Sequence, residues 1–237
     1  MKISKKANDV IDENGWTPLH KIAQQEAKKK ISPTEIETLV TKLLEAGADI
    51  HQANQEGETA FNIAAASSPV IGRLMTNHWL DLALKNLGTK KINEQSGSHN
   101  STLAQYIAKW SNEDEIEKQL DDGIKKGMKI FVQNSSGWTP LHAACAMVGR
   151  LHAVRAFSTR YDDSQIELTT TEAYKTKYFE SAESIFYDAG LSASDIAQAR
   201  LSQAKTLPKK IKSHLQEYVN FLAIRKSTIL KQQEILL

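Results

Sequence analysis

Apolar residues recur along this chain at the three- and four-residue intervals of amphipathic helices. Ile36, Leu39, Val40, Leu43 and Leu44 share one helical face. Just before them, Ser32-Pro33-Thr34-Glu35 supplies an N-cap, a first-turn proline and a capping-box glutamate. Ser68-Pro69 opens a second pattern, in which Val70, Ile71, Leu74, Met75, His78, Trp79, Leu82 and Leu87 predict several helical turns before Gly88. Residues 171–188 read as a further helix, with Tyr174, Tyr178, Ala182, Ile185, Phe186 and Ala189 on one stripe. After Leu207-Pro208, the residues Ile211, Leu215, Tyr218, Val219, Leu222, Ile229 and Leu230 predict a long terminal helix with one apolar face.

Between these patterns the chain repeats itself. Gly15-Trp16-Thr17-Pro18-Leu19-His20 returns unchanged as Gly137-Trp138-Thr139-Pro140-Leu141-His142, and each copy opens a helical pattern. Thr suits a helix N-cap, Pro the first helical position, and Leu the start of a buried face. A divergent copy, Gly57-Glu58-Thr59-Ala60-Phe61-Asn62, keeps the cap and replaces His with Asn. Ten residues separate Gly47 from Gly57 and again Gly127 from Gly137, with Ile50 and Ile130 in matching places. Gly47 suits the positive φ that ends many helices. A degenerate unit therefore ends at Gly127, its first helix beginning near Ser101-Thr102-Leu103.

The Thr-Pro-Leu-His signature resembles the ankyrin repeat, a turn-helix-helix unit of about 33 residues. The ending Leu43-Leu44-Glu45-Ala46-Gly47-Ala48-Asp49-Ile50 is similar to that family's second-helix ending. Gly190-Leu191-Ser192-Ala193-Ser194-Asp195-Ile196-Ala197 resembles a capping unit, with a capping box in Ser192 and Asp195. The resemblance implies an all-α ankyrin-repeat solenoid of about four irregular units with helical insertions and a C-terminal helical cap. The array would occupy residues 1–163 and a helical extension with a degenerate capping repeat 164–237, packed on the array. Thr17 to Gly47 exceeds the family interval by about nine residues, and the insert carries Lys28-Lys29-Lys30. In the family the His also helps fix the turn by hydrogen bonding.

Composition narrows the chemistry. The formal net charge of +2 does not by itself imply a nucleic-acid partner. Cys145 is the single cysteine, which excludes an intramolecular disulfide and a cysteine-based zinc site and suits a reducing compartment. Met1 to Val10 carries lysines with no apolar run behind them, and no eighteen consecutive residues are apolar; neither a signal peptide nor a membrane span is expected. The histidines form no metal-ligand spacing, and the chain has no glycine-rich phosphate loop. No cofactor and no metal are expected. His142 and Cys145 stand three apart on a helix, as a thiol and its base could. His142 belongs to the repeat motif, however, and Cys145 reads as a small core residue.

The expected work is therefore protein recognition through the concave ankyrin surface, not catalysis. Trp16 and Trp138, just before the capping threonines, are the candidate contacts, with Glu56, Glu58, Ser135 and Ser136 on the same turns. Glu113, Asp114, Glu115 and Glu117 suit a helix start. Lys205, Lys209, Lys210 and Lys212 stand near the start of the last helix, where the dipole does not favour them. They support an alternative, an adaptor for an acidic membrane surface or nucleic acid; an unrecognised helical enzyme is the other. Irregular insertions and abundant Lys, Asn and Gln are similar to ankyrin proteins that intracellular bacteria inject into host cells. The expected location is thus cytoplasmic, in the effector form of the reading that of a host cell.

Overall fold

A computed structural model describes residues 7–27, 32–65, 69–86, 92–96, 99–147, 150–166, 169–170, 174–177, 184–187, 189–203 and 209–235. Helices dominate: α1 (Pro18–Ala27), α2 (Pro33–Glu45), α3 (Ala60–Ala65), α4 (Pro69–Asn86), α5 (Leu103–Trp110), α6 (Ile116–Lys125), α7 (Pro140–Cys145), α8 (Leu151–Ser158), α9 (Asp163–Ile166), α10 (Ala193–Gln203) and α11 (Lys209–Ile235). Two short antiparallel hairpins join them. The first pairs β1 (Gln95–Ser96) with β2 (Ser101–Thr102), and the second pairs β3 (Tyr174–Lys177) with β4 (Ser184–Tyr187).

Most helices come in pairs, and each pair packs on its neighbours in the chain. The first helices meet as α1 with α3, α5 with α7, and α7 with α10; the second helices meet as α2 with α4, α4 with α6, α6 with α8, and α8 with α11. One continuous core runs through them, including Leu19, Phe61, Ile107, Leu141 and Ile196 from the first helices and Ile36, Met75, Leu120, Phe157 and Tyr218 from the second.

Local chemistry sets the ends of α2 as its sequence predicts. Ser32 accepts from the Glu35 N–H at 3.3 Å, while the Glu35 carboxylate accepts from the Ser32 N–H at 3.0 Å. At the other end Gly47 adopts φ +83°, and the Ala48 N–H reaches back to the Leu43 carbonyl at 2.9 Å. Ile36, Val40 and Leu44 are buried, but Leu39 is 42% exposed, so the apolar face is narrower than the pattern suggests. On α4, Gly72 lies under the Trp110 indole; a Cβ there would stand 2.8 Å from the ring, so a side chain would push α4 and α5 apart.

Two expectations change. The stripe over 171–188 is not a helix in its described parts, because Tyr174 pairs with Tyr187 and Lys177 with Ser184 in the second hairpin. Ser184-Ile185-Phe186-Tyr187 is rich in β-branched and aromatic residues, which favour a pleated strand over a helix. Tyr178 and Ala182 lie outside the described residues, as do Lys28 to Lys30, Ser68, Leu87, Gly88, Lys205, Leu207 and Pro208. The chain is thus mostly, not wholly, helical.

Two buried arginines close first-helix C-termini. Arg150 donates to the carbonyls of Ala108 at 2.8 Å and Ile107 at 2.9 Å, and also to that of Ser111, at the end of α5. Burial lowers its pKa, opposed by the Glu113 carboxylate 3.0 Å away. Arg200, fully buried on α10, donates to the Ala146 carbonyl at the end of α7. Burial brings its guanidinium down to about 9, which still leaves it charged at neutral pH. Four carbonyls at each helix end lack intrahelical partners, and these cations from later in the chain meet some of them.

Candidate partner-binding surface of the turns

Three of the turns are each built around one side-chain oxygen. Asp12 Oδ1 accepts from the Asn14 and Trp16 N–H groups at 3.1 and 3.0 Å. Asn54 Oδ1 accepts from Glu56 and Glu58, both at 2.9 Å, and Asn134 Oδ1 from Ser136 and Trp138 at 3.1 and 2.9 Å. Three residues after each, Gly15, Gly57 and Gly137 take φ values of +78°, +76° and +75°. An Asp or Asn side chain that mimics a backbone turn, followed by a glycine that accepts positive φ, makes a compact reversal. In the degenerate turn before α5, Asn100 takes the glycine's place at φ +51°. Asn tolerates the left-handed region better than other side chains.

The helix starts that follow are equally alike. Thr17 donates its N–H to His20 Nδ1 at 3.2 Å, its Oγ1 lies 2.7 Å from the same nitrogen, and His20 Nε2 reaches the Glu58 carbonyl of the next turn at 3.1 Å. Because Nδ1 accepts from a backbone N–H, the proton sits on Nε2. Burial holds this imidazole below its ordinary pKa, although the Glu58 carbonyl acts the other way. Gln105 performs the same two tasks with an amide: Oε1 accepts from the Thr102 N–H at 2.7 Å, and Nε2 donates to the Trp138 carbonyl at 2.5 Å. Thr59 Oγ1 accepts from the Asn62 N–H at 3.2 Å, and the Asn62 side-chain oxygen accepts from the Tyr106 hydroxyl at 3.2 Å. His142 bonds Thr139 as His20 bonds Thr17. Ser192 and Asp195 form the reciprocal box expected of them.

Successive turns also tie to one another directly. Gln55 donates its N–H to the Asn14 carbonyl at 3.0 Å, and Ser135 to that of His99 at 3.0 Å. Asn8 and Asn93 make the same clamp on the turn that follows each: the amide donates to the carbonyls of Gly47 and Gly127, and the oxygen accepts from the N–H groups of Asp49 and Lys129.

This frame separates the six candidate contacts. Glu56 and Ser135 are exposed at turn tips, and Trp16 and Glu58 are half-buried. Trp138 is only 4% exposed and Ser136 only 2%, so of the six candidates these two present the least surface to a partner. Trp138 fills space inside the core, and Ser136 is held under the turn by Asn134. At Trp16, the Lys21 ammonium sits 4.6 Å from the ring and pairs with Asp12, whose carboxyl it holds below the usual range.

The other candidate chemistry dissolves into packing. Cys145 is fully buried and its thiol pushed strongly upward by burial, while His142 Nδ1 is engaged by Thr139. Glu113 joins Arg150, and Glu117 and Asp121 join Arg160. Of the terminal lysines with described side chains, Lys209 is exposed and Lys212 half-buried. Sequence reasoning missed Asp12, Asn54, Asn134, Asn100 and Gln105, although an Asp or Asn three residues before each turn glycine was a readable signal.

An ankyrin-repeat family model matches residues 136–158, the stretch from the fourth turn through α8. No curated protein matches the chain. By fold and family match together, this is a mostly helical chain that carries an ankyrin repeat. Among the described residues no helix is long and apolar enough to cross a membrane.

Proposed function

We propose that the chain is a protein-interaction module, a short irregular ankyrin solenoid that works by binding and not by catalysis. The observation that carries this reading is the contrast within the turns. Their backbones repeat one hydrogen-bonded geometry, while their exposed tips differ completely: Glu13 and Asn14, Gln55 and Glu56, His99, Ser135. A constant scaffold that displays different side chains along one edge suits recognition of an extended protein surface. Trp16 adds an aromatic edge at the start of that row. A cytoplasm is the proposed setting, and in the effector form of the proposal it is that of a host cell, supported by the insertions and the composition.

The test compares proteins captured by the wild-type chain with those captured by a Glu56→Arg/Ser135→Arg double variant. Both positions are exposed, so melting should not change; a specific captured protein should be lost. A captured set that is identical for both chains would remove the turn tips from the function.

A further inference from the structure

Away from the turn tips, the end of α2 and the outer side of α4 enclose a cleft of about 510 Å³. Its floor is apolar, made by Leu44, Ile50, Trp79 and Leu82. Leu82 is 44% exposed there, so the apolar floor is open to solvent on that side. Its rim is acidic: Glu45, Asp49 and Glu94 line it, and none of the described residues that do so is Lys or Arg. The carbonyl end of α2 points its negative dipole to the same place. Burial, with the nearby Lys85 acting the same way, holds His78 below its ordinary pKa despite the neighbouring Asp81, so this lining imidazole does not offset the carboxylates at neutral pH. His51 turns inward, with Nδ1 on Ser96 Oγ at 2.8 Å and its ring edge-on to Trp79 at 4.3 Å.

We propose that this cleft is a second binding site, separate from the turns, for a basic segment of a partner protein in which an arginine or lysine stands beside a bulky apolar side chain. The apolar residue covers Leu82 and the Trp79 side of the floor. The cation takes the position at the end of α2, among the three carboxylates. A bare metal ion does not fit, since among the described residues no group of three His, Cys, Asp or Glu is arranged to hold one. Long basic side chains suit the geometry because their stems lie on apolar surface while their heads remain near charge.

The probe is a fluorescein-labelled, amidated peptide of alternating Gly-Arg-Leu triplets, titrated into the full chain and followed by anisotropy. Its control has Glu in place of Arg. We expect saturable binding of the Arg peptide that weakens as salt rises, and none of the Glu peptide. The isosteric variant Glu45→Gln/Asp49→Asn/Glu94→Gln should weaken binding at least about tenfold, and Leu82→Ser should do so separately. Removing the same charge from exposed sites elsewhere, in Glu37→Gln/Asp114→Asn/Glu115→Gln, should leave affinity unchanged. The proposal is overturned if the Arg peptide does not bind, if the cleft variant binds like wild type, or if the distant variant loses as much. Because none of the cleft substitutions touches a turn tip, loss of this site leaves the test of the turns independent of it.

Discussion

The first and fourth turns carry the same six residues, yet their tryptophans live in different environments. Trp16 is half-buried with Lys21 across its face, whereas Trp138 is 4% exposed and its carbonyl accepts from Gln105 of the preceding unit. The turn's internal bonds are the same in both. What differs is the neighbour. Ahead of Trp138 stands a complete unit, α5 and α6, of which α5 packs on α7 and bonds the Trp138 carbonyl through Gln105. An identical motif therefore specifies identical local geometry, while the place of the unit in the row decides which atoms remain available to a partner.

Truncation of each tryptophan should show this difference at its largest. Trp138→Ala empties a buried site, and such changes cost about 3–5 kcal/mol; Trp16→Ala should cost about 1 kcal/mol or less. Thermal melting of the two variants, read by circular dichroism, measures both. Equal losses would mean that the motif itself, and not its neighbour, sets the burial.

A smaller effect is expected at the bond that joins the third unit to the fourth. Gln105→Ala removes the acceptor for the buried Thr102 N–H and the donor to the Trp138 carbonyl. Leaving such groups unsatisfied costs about 1–3 kcal/mol each. Urea denaturation should show the loss, and Gln105→His should recover most of it, because His20 does the same work in the first unit. A Gln105→His variant no more stable than Gln105→Ala would show that the two positions are not equivalent.

Much of this was legible in the residues. The Thr-Pro-Leu-His copies, the glycine spacing of ten, the Ser32 capping box and the terminal helix all rest on local rules, and the structure follows them. What could not be read depends on contacts far along the chain. Burial of Trp138 needs the preceding unit, and the arginines at positions 150 and 200 find helix carbonyls some 40 to 54 residues earlier. Over 171–188 a helical stripe could be drawn, but the β-branched and aromatic run Ile185-Phe186-Tyr187 favours a strand and pairs with Tyr174–Thr176. Gln105 does not match the Thr-Pro-Leu-His signature, yet the geometry asks only for an acceptor and a donor side by side on one polar group, which an amide supplies as well as an imidazole.

Acidification should separate those two chemistries. His20 has a lowered folded pKa, so the neutral ring favours the fold; its contribution is fully present above the unfolded value of about 6.5 and is lost as pH falls below it toward the folded value. The cause is burial of the ring, and a proton on Nδ1 would in addition face the Thr17 N–H. His78 is shifted the same way and adds to the loss. His20→Gln should flatten the His20 part of the stability profile below about pH 6.5 while keeping the helix start. An unchanged slope would assign the acid sensitivity to His78 or to other groups.

The smallest effects concern the turn glycines, and they return to the difference between the first turn and the others. Asn100 already holds a positive φ, so Asn100→Gly relieves strain in the folded state but adds freedom to the unfolded chain; the two nearly cancel, leaving roughly 0.5 kcal/mol or less. Gly57 has open space where a Cβ would be, so Gly57→Asn should cost about as little as Asn does in the left-handed region. Gly15 has the same φ but not the same space. A Cβ there would stand 3.2 Å from the Gln55 backbone nitrogen, the atom that bonds Asn14 across to the next turn. Gly15→Asn should therefore cost more than Gly57→Asn, by about 1 kcal/mol, and native-state hydrogen exchange should show the Gln55 amide opening more readily. If the two substitutions cost the same and Gln55 exchanges as before, the first two turns are not pressed together as tightly as the hydrogen bonds between them require.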